Sequence, residues 1–208
     1  MCRFLFLGDS ITDCDHLWLP ETNGLGNGYV SILAKKIKAV HPDAKLMNKG
    51  IDGFTITALQ QRLVSFVSNC KADMICLLIG INDLWLTSEQ QFTQNYEHLL
   101  KSLRFLTNAR ILCIAPFIFP YPQEYLLWIP FIRFMERSIS ELAGKYQAEC
   151  LLMQDTLCAA ACLNSTAGNS IIVSNTPDYR LITTDGIHLT SYGHQILADA
   201  IWPFLYCE

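Results

Sequence analysis

The sequence predicts a three-layer α/β/α sandwich built on a five-stranded parallel sheet, and three observations carry that expectation. Short apolar runs alternate with segments of helical periodicity along the chain. The runs are continuously apolar rather than alternating in polarity, as strands covered on both faces must be. Most of them stop at a glycine or a proline, where a strand hands over to a turn.

Taken in order, Arg3 to Leu7 is the first strand, ending at Gly8, and Ala44 to Asn48 is a weaker second one before Gly50. Asp73 to Ile79 is the clearest and ends at Gly80. Arg110 to Ala115 stops at Pro116, and Glu149 to Met153 stops before Asp155. Between them, Val30, Leu33, Ile37 and Val40 recur at helical spacing, as do Leu59, Leu63, Val64 and Val67, and again Phe92, Tyr96, Leu99, Leu100 and Leu103. A further helix is expected between Glu124 and Tyr146 once past Pro130, and a last one over Ile196, Leu197, Ala200, Ile201 and Leu205. This βαβα order with right-handed crossovers places a ligand site at the carboxyl ends of the strands. No linker or repeat divides the chain, so residues 1–208 are expected to form one domain, with a long connection from Asn164 to Thr184.

With 51% hydrophobic and 16% charged residues, the 208-residue chain has the composition of a folded protein with a large core. Its formal charge of −4 and scattered basic residues argue against a nucleic-acid partner. The apolar start, Cys2 to Leu7, is too short for a secretion signal, so the chain is expected to act in the cytoplasm. Nine cysteines are an odd set, for which reduced thiols are expected. Cys158 and Cys162 could share a helix face, but two thiols without a neighbouring histidine do not make a metal site. The apolar stretch from Ile111 to Ile132 contains Pro116, Pro120, Pro122, Pro130 and Glu124, which argue against a membrane-spanning helix.

Polar residues of catalytic type follow the predicted strands: Ser10 the first, Gly53 the second, Asn82 and Asp83 the third, while Asp185 and His188 precede the last helix. A serine hydroxyl needs a base within hydrogen-bond reach, and the base needs a partner that fixes its tautomer. Asp185-Gly186-Ile187-His188 offers both on one turn. The N–H groups of Ser10 and Gly53 and the side-chain amide of Asn82 are candidate donors for an oxyanion.

These blocks resemble those of the SGNH (GDSL-like) hydrolase family. Gly8-Asp9-Ser10-Ile11-Thr12 is similar to the family's first block and Asn48-Lys49-Gly50-Ile51-Asp52-Gly53 to its second. Gly80-Ile81-Asn82-Asp83 is similar to the third and Asp185-Gly186-Ile187-His188-Leu189 to the last. The resemblance implies a flavodoxin-like sheet of order 2-1-3-4-5 and ester hydrolysis without metal or cofactor. It also implies Ser10 as nucleophile, Asp185 and His188 as the rest of a triad, and an oxyanion hole of Ser10, Gly53 and Asn82. Gly50 competes with Gly53, which is preferred because the family's glycine stands about five residues after an asparagine, here Asn48.

The plainer readings are a cap role for Ser10 or Asp185, turn or cap roles for Asp9 and Asp13, and helix-face positions for His98 and His194. His41 is read as a loop residue, and His16 is left open. Asp83 is expected to support the loop behind Asn82 and, with Phe117 and Trp85, to border the substrate. Phe119, Tyr121, Tyr125, Trp128 and Trp18 could extend an apolar wall there. The function expected is a serine esterase acting on a small-molecule ester with a short acyl chain. Acyl transfer, lysophospholipid or thioester hydrolysis, and a catalytically silent flavodoxin-like binder are the alternatives.

Overall fold

The computed structural model describes residues 2–165, 171–173 and 176–205. Five parallel strands, β1 (Arg3–Gly8), β2 (Lys45–Gly50), β3 (Met74–Leu78), β4 (Arg110–Ile114) and β5 (Glu149–Leu151), form one sheet in the order β2-β1-β3-β4-β5. The helices are α1 (Ser10–Asp13), α2 (Tyr29–Val40), α3 (Ile56–Val67), α4 (Glu89–Leu106), α5 (Ile129–Lys145), α6 (Gln154–Ala160) and α7 (Ser191–Ile201). α2 packs on α7, while α3, α4 and α5 pack in series, which gives the three layers. No helix among the described residues is long and apolar enough to cross a membrane.

Burial explains which strands were easy to read. β1, β3 and β4 lie inside the sheet and are buried almost throughout, so their sequences run apolar without a break. β2 and β5 are the edges, half-exposed, and the signal of β2 in the sequence is correspondingly weak, while β5 ends at Leu151 rather than Met153. The helix faces follow the 3.6-residue period with two corrections: Val40 and Val64 are 60% and 62% exposed. Val64 follows the buried Leu63 directly, so the helix turns it about 100° off the core stripe.

Local capping sets where the elements begin. Thr55 accepts the Ala58 N–H at the start of α3, Ser88 and Gln91 cap each other's backbone at α4, and Thr190 accepts the Gly193 N–H at α7. Pro130 sits in the first turn of α5, where a missing N–H costs nothing, so the helix starts at Ile129 rather than after the proline. The stretch from Asn164 to Thr184 includes an antiparallel hairpin, β6 (Leu163–Ser165) with β7 (Ile171–Val173), and a helical turn at Tyr179–Leu181. Residues 166–170 and 174–175 of that stretch lie outside the described residues.

The cysteines need one correction. Among the described residues seven cysteines are free thiols, but Cys2 is disulfide-bonded, so the expected fully reduced set does not hold there.

Gly50, at the end of β2, pairs with Gly8 of β1 and lies against α1. A β-carbon on Gly50 would sit 2.3 Å from the Asp13 nitrogen and 2.6 Å from the Thr12 carbonyl carbon, both backbone atoms. Gly50→Ala is therefore expected to cost about 3 kcal/mol, as overpacking against backbone does. Urea unfolding of the variant beside the parent measures it, and an unchanged midpoint would contradict the contact.

Candidate active site

The strand order reverses direction at β1, whose neighbours β2 and β3 both follow it in sequence. At such a switch point the loops leaving adjacent strands part and open a crevice at the carboxyl edge. Ser10 leaves β1 there as the first residue of α1. Asp9, not Ser10, is the helix cap: its carboxylate accepts the Ile11 N–H at 3.1 Å. The Ser10 hydroxyl is thereby left for other work.

That hydroxyl lies 2.9 Å from His188 Nε2, and His188 Nδ1 lies 2.6 Å from Asp185 Oδ2. The other oxygen, Asp185 Oδ1, accepts the backbone N–H groups of Ile187 and His188 at 2.9 and 2.8 Å. Partial burial pushes the Asp185 carboxyl upward, but the His188 ring and these two N–H groups outweigh it and hold the group below the usual aspartate range. An ionised carboxylate can only accept, so Nδ1 carries the imidazole proton and the Nε2 lone pair faces the serine O–H. Asp185 does not cap the last helix, since Thr190 does. The turn joining Asp185 to His188 needs glycine at its second place. Gly186 has φ +95°, and a β-carbon would fall 2.1 Å from the Tyr121 carbonyl oxygen.

The candidate oxyanion donors separate clearly. The Gly50 N–H is already given to Asn48 Oδ1 at 2.9 Å, so Gly50 has no donor to offer. Asn48 is a latch: its amide donates to the carbonyls of Thr12 and Leu25 at 2.7 and 3.1 Å, tying β2 to α1 and the loop beyond it. Gly53 lies exposed beyond the strand, and its N–H has no acceptor among the described residues. Asn82 Nδ2 donates one proton to the Phe54 carbonyl at 2.9 Å, which fixes the amide and keeps its second N–H available.

Three expected substrate contacts fare differently. Asp83 is 1% exposed, and its Oδ2 accepts the Ile56 N–H at 3.0 Å, an unpaired donor of the first turn of α3. This supports the loop behind Asn82 but removes Asp83 from contact with substrate; burial raises its carboxyl to about 6. Phe117 is fully buried against Phe119 and belongs to the core, because the chain after β4 continues inside the sandwich before it surfaces. Trp85 is 41% exposed and packs on Tyr125 and Trp128, with ring centroids 6.2 and 6.1 Å away. Tyr125 in turn lies against Gly186, so this aromatic cluster joins the loop of Asn82 to the turn of Asp185 and His188.

The sequence reading missed what lies on the other side of Ser10. A cleft of about 440 Å3 runs from Ser10 and His188 past Asp15, Trp18 and Asn27 to His194. His194 was read as an ordinary helix-face residue, yet it is only 8% exposed. It accepts the Tyr29 N–H at Nδ1, so its Nε2 proton points to Cys14 Sγ, 3.4 Å away. His16 is likewise tied down, its Nδ1 2.6 Å from Asp13 Oδ1. No spacing signal marks His194, whose partners come from other elements, whereas Asp13 stands three places before His16, the same offset as Asp185 before His188.

Burial, and then the nearby charge of His188, pushes the His194 imidazole down from 6.5 to about 4. A histidine lowered on folding binds its proton more readily unfolded, so the stability it contributes is present above pH 6.5 and drains away toward pH 4. The parent is expected to lose on the order of 2 kcal/mol more than His194→Gln between pH 7 and 4. Thermal melts of both proteins across that range read the difference directly, and parallel curves would refute it.

Comparison with known proteins bears on the family and the fold. The sequence pattern of the GDSL-like Lipase/Acylhydrolase family matches residues 6–196. An acetylxylan esterase of Geobacillus stearothermophilus is 30% identical over 217 residues, covering 95% of this chain and 91% of that protein. A catalytic mutant of Axe2, an acetylxylan esterase of the same organism, superposes with a TM-score of 0.78 at 25% identity over 99% of this chain and 94% of its own. LAE5, an alpha/beta hydrolase enzyme from the metagenome of Lake Arreo, shares the fold with a TM-score of 0.78 at 20% identity, covering 97% and 94% of the two chains. With the strand order 2-1-3-4-5 and the family pattern over nearly its whole length, the chain belongs to the GDSL-like lipase/acylhydrolase family and is a carboxylic ester hydrolase.

Proposed function

We propose that this hydrolase removes short acyl groups, acetyl first among them, from a small-molecule or carbohydrate alcohol through an acyl-enzyme on Ser10. The observation that carries the reading is the unbroken chain from Ser10 Oγ to His188 Nε2, 2.9 Å, and from His188 Nδ1 to Asp185 Oδ2, 2.6 Å. The acetylxylan esterase among the relatives supports the acetyl group and the carbohydrate alcohol.

The chemistry then runs in two halves. Ser10 attacks the ester carbonyl while His188 takes the hydroxyl proton, and Asp185 stabilises the imidazolium that results. The tetrahedral oxygen is received by the N–H groups of Ser10 and Gly53 and the free N–H of Asn82. Collapse expels the alcohol, which collects the proton from His188. Water, deprotonated by the same histidine, then attacks the acyl-enzyme and releases the acid and the serine.

Asn82→Ala is expected to lower kcat by about 10²- to 10³-fold with a small change in KM, because an oxyanion donor acts in the transition state. Steady-state kinetics on p-nitrophenyl acetate read the split, and a change confined to KM would point to substrate binding instead. The function as a whole is tested by rapid mixing with p-nitrophenyl esters of increasing acyl length. A burst of one nitrophenol per chain with the acyl group found on Ser10 by peptide mass is expected, with turnover fastest for acetyl. No acyl-serine, or a rate that peaks at long chains, would overturn the mechanism or the acyl class respectively.

A further inference from the structure

The cleft beside the nucleophile has a chemical character that the hydrolysis itself does not require. It is bounded by Ser10 and His188 but by neither Gly53 nor Asn82, so it opens on the histidine side of the serine. His188 must hand its proton to the departing alcohol, whose oxygen therefore lies at Nε2. The space on that side receives the alcohol half of the ester, and about 440 Å3 is room for a sugar-sized group.

Asp13, Asp15 and Asp52 contribute to the lining, and no lysine or arginine does. Asp13 is committed within the protein, to His16 and to the Asp52 N–H, so it fixes the walls. The Asp15 and Asp52 side chains are exposed and have no hydrogen-bond or ion-pair partner among the described residues. Trp18, 80% exposed, stands at the rim with an open indole face. Unpartnered carboxylates accept hydroxyl protons in pairs, and an indole face covers the apolar side of a polyol ring. The same carboxylates repel an anion brought beside them, a repulsion that added salt screens.

We propose that this cleft is the alcohol subsite, that Asp15 and Asp52 with Trp18 hold an uncharged polyol in it, and that the two carboxylates reject alcohols bearing phosphate or carboxylate. The inference rests on Ser10 and His188 being the reacting pair, as argued above.

The test compares kcat/KM for an acetylated methyl glycoside and for the same ester carrying one phosphate group, with p-nitrophenyl acetate and Ser10→Ala in parallel. A preference of about tenfold or more for the uncharged ester is expected at low salt, shrinking toward about twofold at 0.5 M salt. Asp15→Asn/Asp52→Asn should remove most of that preference, and Trp18→Ala should raise KM for the glycoside about fivefold while leaving the charge preference in place. Equal rates for the two esters, a ratio unmoved by the double variant, or cleavage of p-nitrophenyl acetate but of neither glycoside would each overturn the subsite. Full turnover by Ser10→Ala would instead overturn the reading beneath it, and that control is scored independently of the charge ratio.

Discussion

Ser10→Ala should lose at least about 10⁴-fold in kcat/KM toward acetyl esters while folding as the parent does. The size follows from the two-step route, since without Oγ no acyl-enzyme forms and only general binding and the oxyanion donors remain to speed attack by water. The fold should be indifferent, because Ser10 is not a structural cap. Asp9 satisfies the Ile11 N–H, and among the described residues the one side-chain bond of Ser10 is to His188. Equal melting temperatures alongside lost turnover are therefore the expected pair of results. A variant that kept activity would falsify Ser10 as nucleophile, and one that failed to fold would show that the hydroxyl has a packing role the geometry does not reveal.

Asp185→Asn should cost a comparable amount, about 10⁴-fold in kcat at neutral pH, by the tautomer argument worked out for serine proteases. An asparagine amide turned toward Nδ1 donates instead of accepting, so the ring proton moves to Nε2 and the nitrogen facing Ser10 is no longer a base. The Ile187 and His188 N–H groups still find the asparagine oxygen, so the turn should survive and KM should change little. The pH dependence has a definite sign. Asp185 is held below its ordinary value, so its ionised, orienting form is complete above the usual aspartate pKa of 3.8 and is lost only as acid protonates the folded carboxyl. The variant's deficit should therefore be flat from neutral pH down to about pH 5 once both rates are normalised to their own histidine limb. A deficit confined to KM, or one that appears only in acid, would assign Asp185 to binding or to folding rather than to orienting His188.

How much of this was legible beforehand depends on where each residue's partner lies. Ser10, Asp185 and His188 stood out because each sits in a short block whose chemistry is local: a strand end, a four-residue turn, a carboxylate three places from an imidazole. The central strands β1, β3 and β4 were equally plain, since burial on both faces forces continuous apolarity, whereas the edge strand β2 gave only a faint signal. Phe117 shows the limit: an aromatic after a strand reads the same whether it lines a site or fills the core, and only its full burial separates the two.

By itself, then, the sequence determined the layered α/β/α class and pointed to the carboxyl edge of the sheet and to the serine, histidine and aspartate proposed to act there, because these rest on periodicity and on neighbours within a few residues. The tertiary structure alone decided the matters that join distant segments. It closed Gly50 as a donor by pairing its N–H with Asn48, buried Asp83 under α3, and brought His194 from α7 against Cys14 and Tyr29. It also assembled a carboxylate-lined cleft that includes the loops after β1 and β2. A contact between residues far apart in the chain leaves no period and no fixed offset in the sequence, so folding is the step at which it becomes visible.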